Sequence, residues 1–139
     1  ELIRPDLFHV KKQMASSKEV IDFLCDELIS KNLADERYKE DVFKRESVSA
    51  TSFVNGFAVP HSIEITSKES CISIMILDKP VKWGDFEVKL VLLLAIRDTD
   101  SHLLKIFFDW LSSIVSDSNK FRQLLEVKNY QEFIQHVIE

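Results

Sequence analysis

The 139-residue chain is poor in the residues that loops and linkers use most, since it contains only two glycines and three prolines. Two glycines are too few for a glycine-rich loop of the kind that wraps the phosphates of a nucleotide. Because linkers are rich in glycine, proline and serine, this scarcity favours a single domain over residues 1–139, long enough for one hydrophobic core. The chain begins at Glu1 rather than at methionine, so we interpret it as a domain excised from a longer protein.

Cysteine and metal-binding motifs are also lacking. The two cysteines form no Cys-x-x-Cys motif, and no two of the four histidines are four residues apart. The sequence therefore predicts no metal site. Cys25 and Cys71 fall in apolar segments, so we expect buried free thiols, as in proteins of the reducing cytoplasm. A nucleophile pair of Cys71 and His61 stays formally open, although nothing near Cys71 in the sequence would activate its thiol.

Long apolar runs and an excess of positive charge are absent as well. The longest apolar run, Val91–Ile96, is far shorter than the roughly 20 residues that cross a bilayer. The N-terminus lacks the basic and apolar regions of a signal peptide. The net charge is −5, with lysines and acids interleaved, whereas nucleic-acid binding requires clustered Lys and Arg. We therefore expect a cytoplasmic domain that neither enters a membrane nor binds nucleic acid directly.

The N-terminal third predicts one strand and two helices. A short strand is expected over 6–10 and a helix over 16–32, where Ser16 and Glu19 have the spacing of a capping box. Apolar residues recur along that helix at the spacing of one helical face. A second helix is predicted over 35–44, with charges on its outer faces.

The middle of the chain has the composition of strands. Small and β-branched residues over 47–54 predict a strand that ends at Asn55-Gly56, the strongest short signal for a hairpin with a type I′ turn. Residues 57–61 would form the return strand. Further strands are expected over 70–77 and 90–96, joined by a loop over 79–89 with a turn at Gly84.

The C-terminal third returns to helical spacing. Helices are predicted over 101–117, 118–127 and 129–139. Ser101 or Asp100 would cap the first of them, and Ser118 and Asn129 the next two. The order of strands and helices predicts an α/β fold, a mixed central β-sheet flanked by helices.

His61 is the strongest candidate for chemistry. Pro60 has a fixed φ and biases the preceding residue towards an extended conformation, so the backbone that enters His61 is stiff. With a reference pKa of ~6.5, much of an ordinary imidazole is neutral at cytoplasmic pH. A neutral ring nitrogen held in a fixed position can attack phosphorus or accept a proton. The alternative is a histidine that ends a strand without any chemical role.

Two other residues suit an anion near His61. His102 falls in the first turn of a predicted helix, where free N–H groups and the helix dipole favour negative charge. Arg45 lies just before the predicted hairpin, and its guanidinium matches phosphate oxygens. Each has a simpler interpretation, since His102 suits a helix start and Arg45 a solvated helix end. His9 and His136 are assigned no function.

These segments together resemble a known family. "RESVSATSFVNGFAVPHS", then "KPVKWGDFEVKLVLLLAI" and the histidine-led "SHLLKIFFDWLSSIVSD", are similar to enzyme IIA domains of the fructose/mannitol class (type 2) of the bacterial sugar phosphotransferase system. The resemblance covers essentially the whole chain. It implies that His61 accepts a phosphoryl group from the phosphocarrier protein HPr, that His102 hydrogen-bonds this group, and that Arg45 offsets its charge. It implies no metal or organic cofactor. Ser62 stands where glycine is common in the family.

The segment "KPVKWGD" resembles more closely the enzyme IIA domains that are fused to transcription regulators of the antiterminator/activator type. This resemblance implies a regulatory phosphohistidine domain that acts on phosphotransferase regulation domains of the same chain. Two alternatives stay open. The domain could be a transport component that passes phosphate to a sugar-specific enzyme IIB, or a degenerate interaction module that keeps the fold without chemistry.

Overall fold

The computed structural model describes residues 2–138, and within them a mixed five-stranded β-sheet carries helices on both faces. This arrangement confirms the predicted α/β fold class. The strands are β1 (Ile3–Lys12), β2 (Ser52–Phe53), β3 (Phe57–Ala58), β4 (Cys71–Trp83) and β5 (Phe86–Ala95). The helices are α1 (Ser17–Ser30), α2 (Glu36–Val48), α3 (His102–Val115), α4 (Ser118–Leu125) and α5 (Tyr130–Ile138).

The sheet has the strand order β1-β4-β5-β3-β2. β1 runs parallel to β4, and β3 runs parallel to β5. The pairs β4–β5 and β2–β3 are antiparallel. β5 is therefore an interior strand, and its apolar residues alternate between two cores. Val91, Leu93 and Ala95 pack in the core on the side of α1 and α2, and Leu90 and Leu92 in the core on the side of α3–α5. Coverage on both faces explains why this strand is apolar at successive residues.

The first helices begin with side-chain caps. The Ser16 hydroxyl accepts a hydrogen bond from the N–H of Glu19 (3.2 Å), as predicted. The Glu19 carboxylate reaches back to the N–H of Ala15 (3.2 Å) and completes a variant of the capping box. α2 is capped by Asp35, which accepts from the N–H of Tyr38 (3.1 Å).

The strand predicted from Ser47 is wrong, because α2 continues to Val48 and β2 contains only Ser52–Phe53. The Ser47 hydroxyl bonds back to the carbonyl oxygen of Lys44 (2.7 Å), a local bond that a helix end accommodates. The carboxylate of Glu46 takes both the N–H and the hydroxyl of Thr51 (2.7 and 2.8 Å). The hydroxyl-rich segment thus satisfies its polar groups locally instead of pairing as a long strand.

The hairpin predicted at Asn55-Gly56 is confirmed, but its type I′ turn is wrong. Phe53 pairs directly with Phe57, and their rings stack with centroids 4.6 Å apart. This pairing leaves a three-residue loop, in which the N–H of Gly56 donates to the carbonyl of Phe53 (2.9 Å). Gly56 has a φ of +103°, whereas Asn55 does not adopt a positive φ.

The loop predicted over 79–89 is also wrong. β4 and β5 extend through it and form a long hairpin, in which Trp83 pairs with Phe86. Val81, Trp83 and Val88 are buried, whereas Lys82 and Glu87 between them are exposed. This alternation is the period of a strand. The predicted turn at Gly84 is confirmed, with a φ of +63°.

The C-terminal helices differ from prediction mainly in their caps. Ser101 holds the N-cap position of α3, but neither it nor Asp100 caps the helix with its side chain. Asp117, not Ser118, caps α4 by accepting from the N–H groups of Asn119 and Lys120. Asn129 accepts from the N–H of Glu132 (2.9 Å), as predicted for the next helix. The last residue of that predicted helix, Glu139, lies outside the described residues.

Both cysteines are free and fully buried, which confirms the prediction for Cys25 and Cys71. Burial raises the pKa of the Cys25 thiol to about 12 and that of the Cys71 thiol to about 11. Cys71 also packs in the core on the side of α1 and α2. A protonated thiol in this position is not a nucleophile, which removes the pair of Cys71 and His61.

None of the helices within residues 2–138 is long and apolar enough to span a bilayer. The described residues also contain no group of three or more His, Cys, Asp or Glu side chains that could hold a metal ion.

Replacing Gly84 with alanine is expected to lower the free energy of unfolding by about 2–4 kcal/mol. A Cβ at this position would lie 2.6 Å from the Cβ of Ala50, on a backbone with a left-handed φ. Chemical denaturation measures the loss. In an Ala50→Gly background the same change should cost less, because the overlapping atom is gone. Equal costs in both backgrounds would contradict the close approach.

Candidate functional site

The backbone that carries His61 is tied to β5. After β3, the N–H of Leu94 donates to the carbonyl of Pro60 (3.0 Å), and His61 forms a parallel bridge with Leu94. One step earlier, the N–H of Val59 donates to the carbonyl of Thr51 (3.1 Å). Hydrogen bonds on both sides thus fix the extended segment, and His61 lies beside the carboxyl end of β5.

One ring nitrogen of His61 is bound to the main chain. Nδ1 lies 2.9 Å from the carbonyl oxygen of Val59. Because a carbonyl oxygen can only accept, Nδ1 must carry the proton of this bond. In the neutral ring, Nε2 then keeps its lone pair. The contact thus fixes the tautomer in which Nε2 is the nucleophilic atom.

His61 lines a cleft of about 230 Å³ between the loop that follows it and the start of α3. The floor is apolar, with Leu94 at the end of β5 and Ile96 just after this strand. Arg97 and Asp98 bring charge to one side, and Ile63 and Phe108 are exposed hydrophobic residues at the cleft. The lining residues are His61, Ser62, Ile63, Ile65, Thr66, Leu94, Ile96, Arg97, Asp98, Ser101, Leu104 and Phe108.

The loop after His61 is anchored to α2 through Asp41. One carboxylate oxygen of Asp41 accepts from the hydroxyl of Ser62 and from the N–H groups of Ile63 (2.8 Å) and Glu64 (2.9 Å). The Ser62 hydroxyl also accepts from the N–H of Ile65 (3.1 Å). Ser62 therefore has a structural role at the position where the family commonly has glycine, because it fixes one wall of the cleft.

Sequence analysis missed Asp41, although the chain holds a signal for it. Asp41 is 8% exposed and lies three residues after buried Tyr38 and one before buried Val42. An acidic residue on the apolar face of a helix needs hydrogen-bond partners. The hydroxyl of Ser62, followed by the N–H groups of the loop, lowers the pKa of Asp41 against the opposing effect of burial.

α2 also supports the two strands behind His61. The hydroxyl of buried Tyr38 donates to the carbonyl of Leu94 (2.5 Å). Burial holds the pKa of Tyr38 well above its usual value, so this donor keeps its proton. Glu46 binds the N–H of Thr51 and the indole N–H of Trp83 (2.8 Å), and Thr51 in turn accepts from Val59.

Arg97 is a residue at the cleft that sequence analysis did not single out. Its Nε donates to Asp100 (3.2 Å), and its main-chain N–H donates to the hydroxyl of Ser70 (2.9 Å). Ser70 in turn donates to Asp100 (2.5 Å). The bonds from Ser70 and then from Arg97 lower the pKa of Asp100. The sequence held one signal for Arg97 as a site residue, which is its position directly after the most apolar run of the chain.

The other two predicted site residues lie outside the lining of the cleft. His102 is exposed and begins α3, between the lining residues Ser101 and Leu104. Arg45 lies in the last turn of α2, where Nη1 donates to the carbonyl of Ser49 (2.6 Å). The structure thus brings the start of α3 next to His61. Arg45, in contrast, is hydrogen-bonded to the main chain at the carboxyl end of α2.

The fold and the matched residues define the class of the chain as an enzyme IIA domain of type 2. All of residues 1–139 match the family described as "Phosphoenolpyruvate-dependent sugar phosphotransferase system, EIIA 2", and the chain belongs to this family.

Relatives of two kinds are similar to the chain. It is 30% identical over 130 residues to the probable licABCH operon regulator of Bacillus subtilis, which covers 94% of this chain and 20% of the regulator. It is 29% identical over 139 residues to the mannitol-specific phosphotransferase enzyme IIA component of Halalkalibacterium halodurans, which covers 96% and 92% respectively. The chain thus spans about one fifth of the regulator and nearly all of the enzyme IIA component.

A solved structure confirms the fold that the resemblance implied. In the complex of enzyme IIAMtl and phosphorylated enzyme IIBMtl from Escherichia coli, one chain matches with a TM-score of 0.84 at 17% identity. The match covers 99% of each chain.

Asp41→Asn is expected to loosen the loop after His61. A neutral amide accepts hydrogen bonds more weakly than a carboxylate, by about 1–2 kcal/mol here. Amide hydrogen exchange at Ile63 and Glu64 should therefore accelerate by roughly 5- to 30-fold at pH 7. The control is Asp109→Asn, since Asp109 is exposed on α3 and, among residues 2–138, pairs with Lys105 alone.

The wild-type loop should show the same change at low pH. The pKa of Asp41 lies below its ordinary value of 3.8 in the folded chain. Its contribution to stability is therefore complete above pH 3.8 and is lost as the pH falls through the lowered pKa. Exchange rates of Ile63 and Glu64 that, after correction for intrinsic exchange, do not respond to pH in this range would contradict the anchoring role.

Proposed function

We propose that the chain accepts a phosphoryl group on Nε2 of His61, from the phosphohistidine of HPr. The observation that carries this proposal is the bond between Nδ1 and the carbonyl of Val59, which leaves Nε2 as the nucleophilic nitrogen of the neutral ring. The cleft beside His61 offers room for the group, and the bridge to Leu94 holds the backbone still. Phosphoryl transfer depends on such positioning more than on covalent chemistry by the protein.

The proposed step exchanges one P–N bond for another. The lone pair of Nε2 attacks phosphorus in line with the donor nitrogen, and the bond between phosphorus and the donor imidazole breaks. The donor ring leaves as a neutral imidazole if its other nitrogen carries a proton. His61 keeps its proton on Nδ1, and the carbonyl of Val59 stabilises the positive charge of the phosphorylated ring. No electron transfer, metal or organic cofactor takes part.

His102 and Arg45 complete the proposed site. We assign His102 a hydrogen bond to the phosphoryl group, because it begins α3 next to a residue that lines the cleft. Arg45 is assigned the charge-offsetting role that the family resemblance implies. Nη1 of Arg45 donates to the carbonyl of Ser49, and the remaining N–H groups of the guanidinium would supply the donors for this role.

We further propose that the domain is regulatory and cytoplasmic. The regulator of Bacillus subtilis, of which one fifth matches nearly all of this chain, supports a domain within a longer sugar-responsive regulator. Phosphorylation of His61 would report sugar availability to regulation domains of the same chain. The buried free thiols suit the reducing cytoplasm. The net charge of −5 gives this domain no basis for binding nucleic acid itself.

A transport role is the second candidate function. It is favoured by the mannitol-specific enzyme IIA component, since the match covers 92% of that protein. In this case the domain would pass its phosphoryl group to an enzyme IIB. Incubating the phosphorylated domain with regulation domains or with an enzyme IIB separates the two roles by which of them receives the phosphate.

Substitution of His61 should abolish phosphorylation. The domain is incubated with phosphoenolpyruvate, enzyme I and HPr, and acid-labile, alkali-stable phosphate is measured on the intact protein. Wild type should be labelled and His61→Gln should not, because glutamine has no nucleophilic ring nitrogen. His136→Gln in α5 is the matched control and should be labelled like wild type. Label that persists on His61→Gln would assign the acceptor to another residue, and an unlabelled wild type would favour a module without chemistry.

Substitution of His102 should weaken phosphorylation without abolishing it. A hydrogen bond to a charged group contributes about 1.5–3 kcal/mol, so His102→Ala should slow labelling or shorten the lifetime of the phosphohistidine by roughly 10- to 150-fold. His102→Gln keeps a donor and should retain more of the rate. An unchanged rate and lifetime in His102→Ala would remove this residue from the site.

A further inference from the structure

We propose that Arg97 binds the phosphoryl group on His61 and offsets its charge together with Arg45. This inference rests on the proposed function of His61. Among the cleft residues of the described chain, Arg97 is the one lysine or arginine. A phosphoryl group on a histidine carries up to two negative charges, and a cation in the same cleft is the direct way to stabilise them.

The register of the sheet places Arg97 close to His61. Leu94 on β5 forms a bridge with His61, and Arg97 follows Leu94 by three residues. In extended backbone this separation is about 10 Å along the strand, and Ile96 between them also lines the cleft. The side chain of Arg97 is long enough to cover part of this distance. The cleft of about 230 Å³ has several times the ≈ 30 Å³ share of one water molecule, which leaves room for a phosphoryl group.

The guanidinium of Arg97 keeps donors available for a ligand. Within the described residues its side chain is hydrogen-bonded through Nε, to Asp100. The two terminal amines therefore retain their four N–H groups, and 49% of the side chain is exposed. A planar fork of this kind matches two oxygens of a phosphoryl group.

A small network holds Nε of Arg97 in place. Ser70 donates to Asp100 and accepts from the main chain of Arg97, so the carboxylate that holds Nε is itself held. Asp98, which also lines the cleft, adds a negative charge that would repel a phosphoryl dianion. Arg97 is positioned to offset this repulsion as well as the charge of the ligand.

Arg45 has a different geometry. One of its terminal amines already donates to the carbonyl of Ser49, and the residue does not line the cleft. Arg97 can bind a ligand with both terminal amines while Nε stays on Asp100, whereas one terminal amine of Arg45 already donates to Ser49. The contributions of the two arginines to phosphorylation can therefore be separated by substituting each of them in turn.

The experiment compares Arg97→Gln, Arg97→Lys and Arg45→Gln with wild type. Arg122→Gln is the matched control, because Arg122 is an exposed arginine on α4 that bonds Asn119 of its own helix. Each protein is phosphorylated with two donors, phosphorylated HPr and phosphoramidate. With phosphoramidate the P–N bond to the amine breaks, ammonia leaves, and the new P–N bond forms on His61. Intact mass spectrometry follows the labelling rate and the lifetime of the phosphohistidine.

Arg97→Gln should slow labelling by roughly tenfold or more with both donors, because it removes a charged contact to the transferred group. Arg97→Lys should recover part of the rate, since it keeps the charge without the fork. Arg122→Gln should behave like wild type. Thermal unfolding of each variant shows that the fold is retained, and the recovery in Arg97→Lys distinguishes a charge effect from a packing effect.

Unchanged rates and lifetimes in Arg97→Gln would overturn this proposal, as would a loss confined to Arg45→Gln. The phosphoramidate arm separates it from the proposed function. If HPr labels none of the proteins but phosphoramidate labels His61 in an Arg97-dependent way, the role of Arg97 holds and HPr is not the donor. If neither donor labels wild type, both proposals are overturned.

Discussion

The pairing of the segment before His61 with the carboxyl end of β5 is the constraint on which the site depends. It consists of one main-chain hydrogen bond, from Leu94 to Pro60, and one bridge. Together with the fixed φ of Pro60 and the bond from Val59 to Thr51 on the other side, this pairing keeps the segment extended. The position of His61 then follows, and the carbonyl of Val59 is in place to bind Nδ1. Proline stiffness and strand register thus act together to fix the tautomer of the imidazole.

The sequence predicted the parts of this fold whose signal is local. The apolar run of β5, the positions of the two glycine turns and the Ser16 cap depend on neighbouring residues, and all of them are confirmed, although the type I′ geometry at Gly56 is not. Errors arose where a distant partner decides the structure. The segment after Glu46 is not a long strand, because Glu46 binds the polar groups of Thr51 while it accepts a hydrogen bond from the indole N–H of distant Trp83. The continuous hairpin of β4 and β5 was hidden by Pro80 and Gly84, two residues that usually mark loops.

In the candidate site, too, the residues with a local signal could be predicted and those that depend on distant contacts could not. His61 could be singled out from Pro60 and the strand before it, and the surrounding motif identified the family. Asp41 and Arg97 could not, because their roles depend on the loop and the strand that the fold brings against them. Charge is arranged around the cleft by such distant contacts. Asp100 is held by Ser70, which lies 30 residues earlier in the chain, and Asp100 in turn orients Arg97.

α2 makes three contacts around His61 from one side. Tyr38 binds β5, which pairs with His61, and Asp41 binds the loop that follows His61. Glu46 binds Thr51, whose carbonyl holds the segment before His61. A helix moves as a rigid rod, so these contacts cannot be released one at a time by a shift of α2. Any displacement of this helix would alter the floor, the wall and the rear support of the cleft together. The position of α2 and the geometry around His61 are therefore mechanically coupled, so a shift of this helix would reach the site without any contact to the histidine.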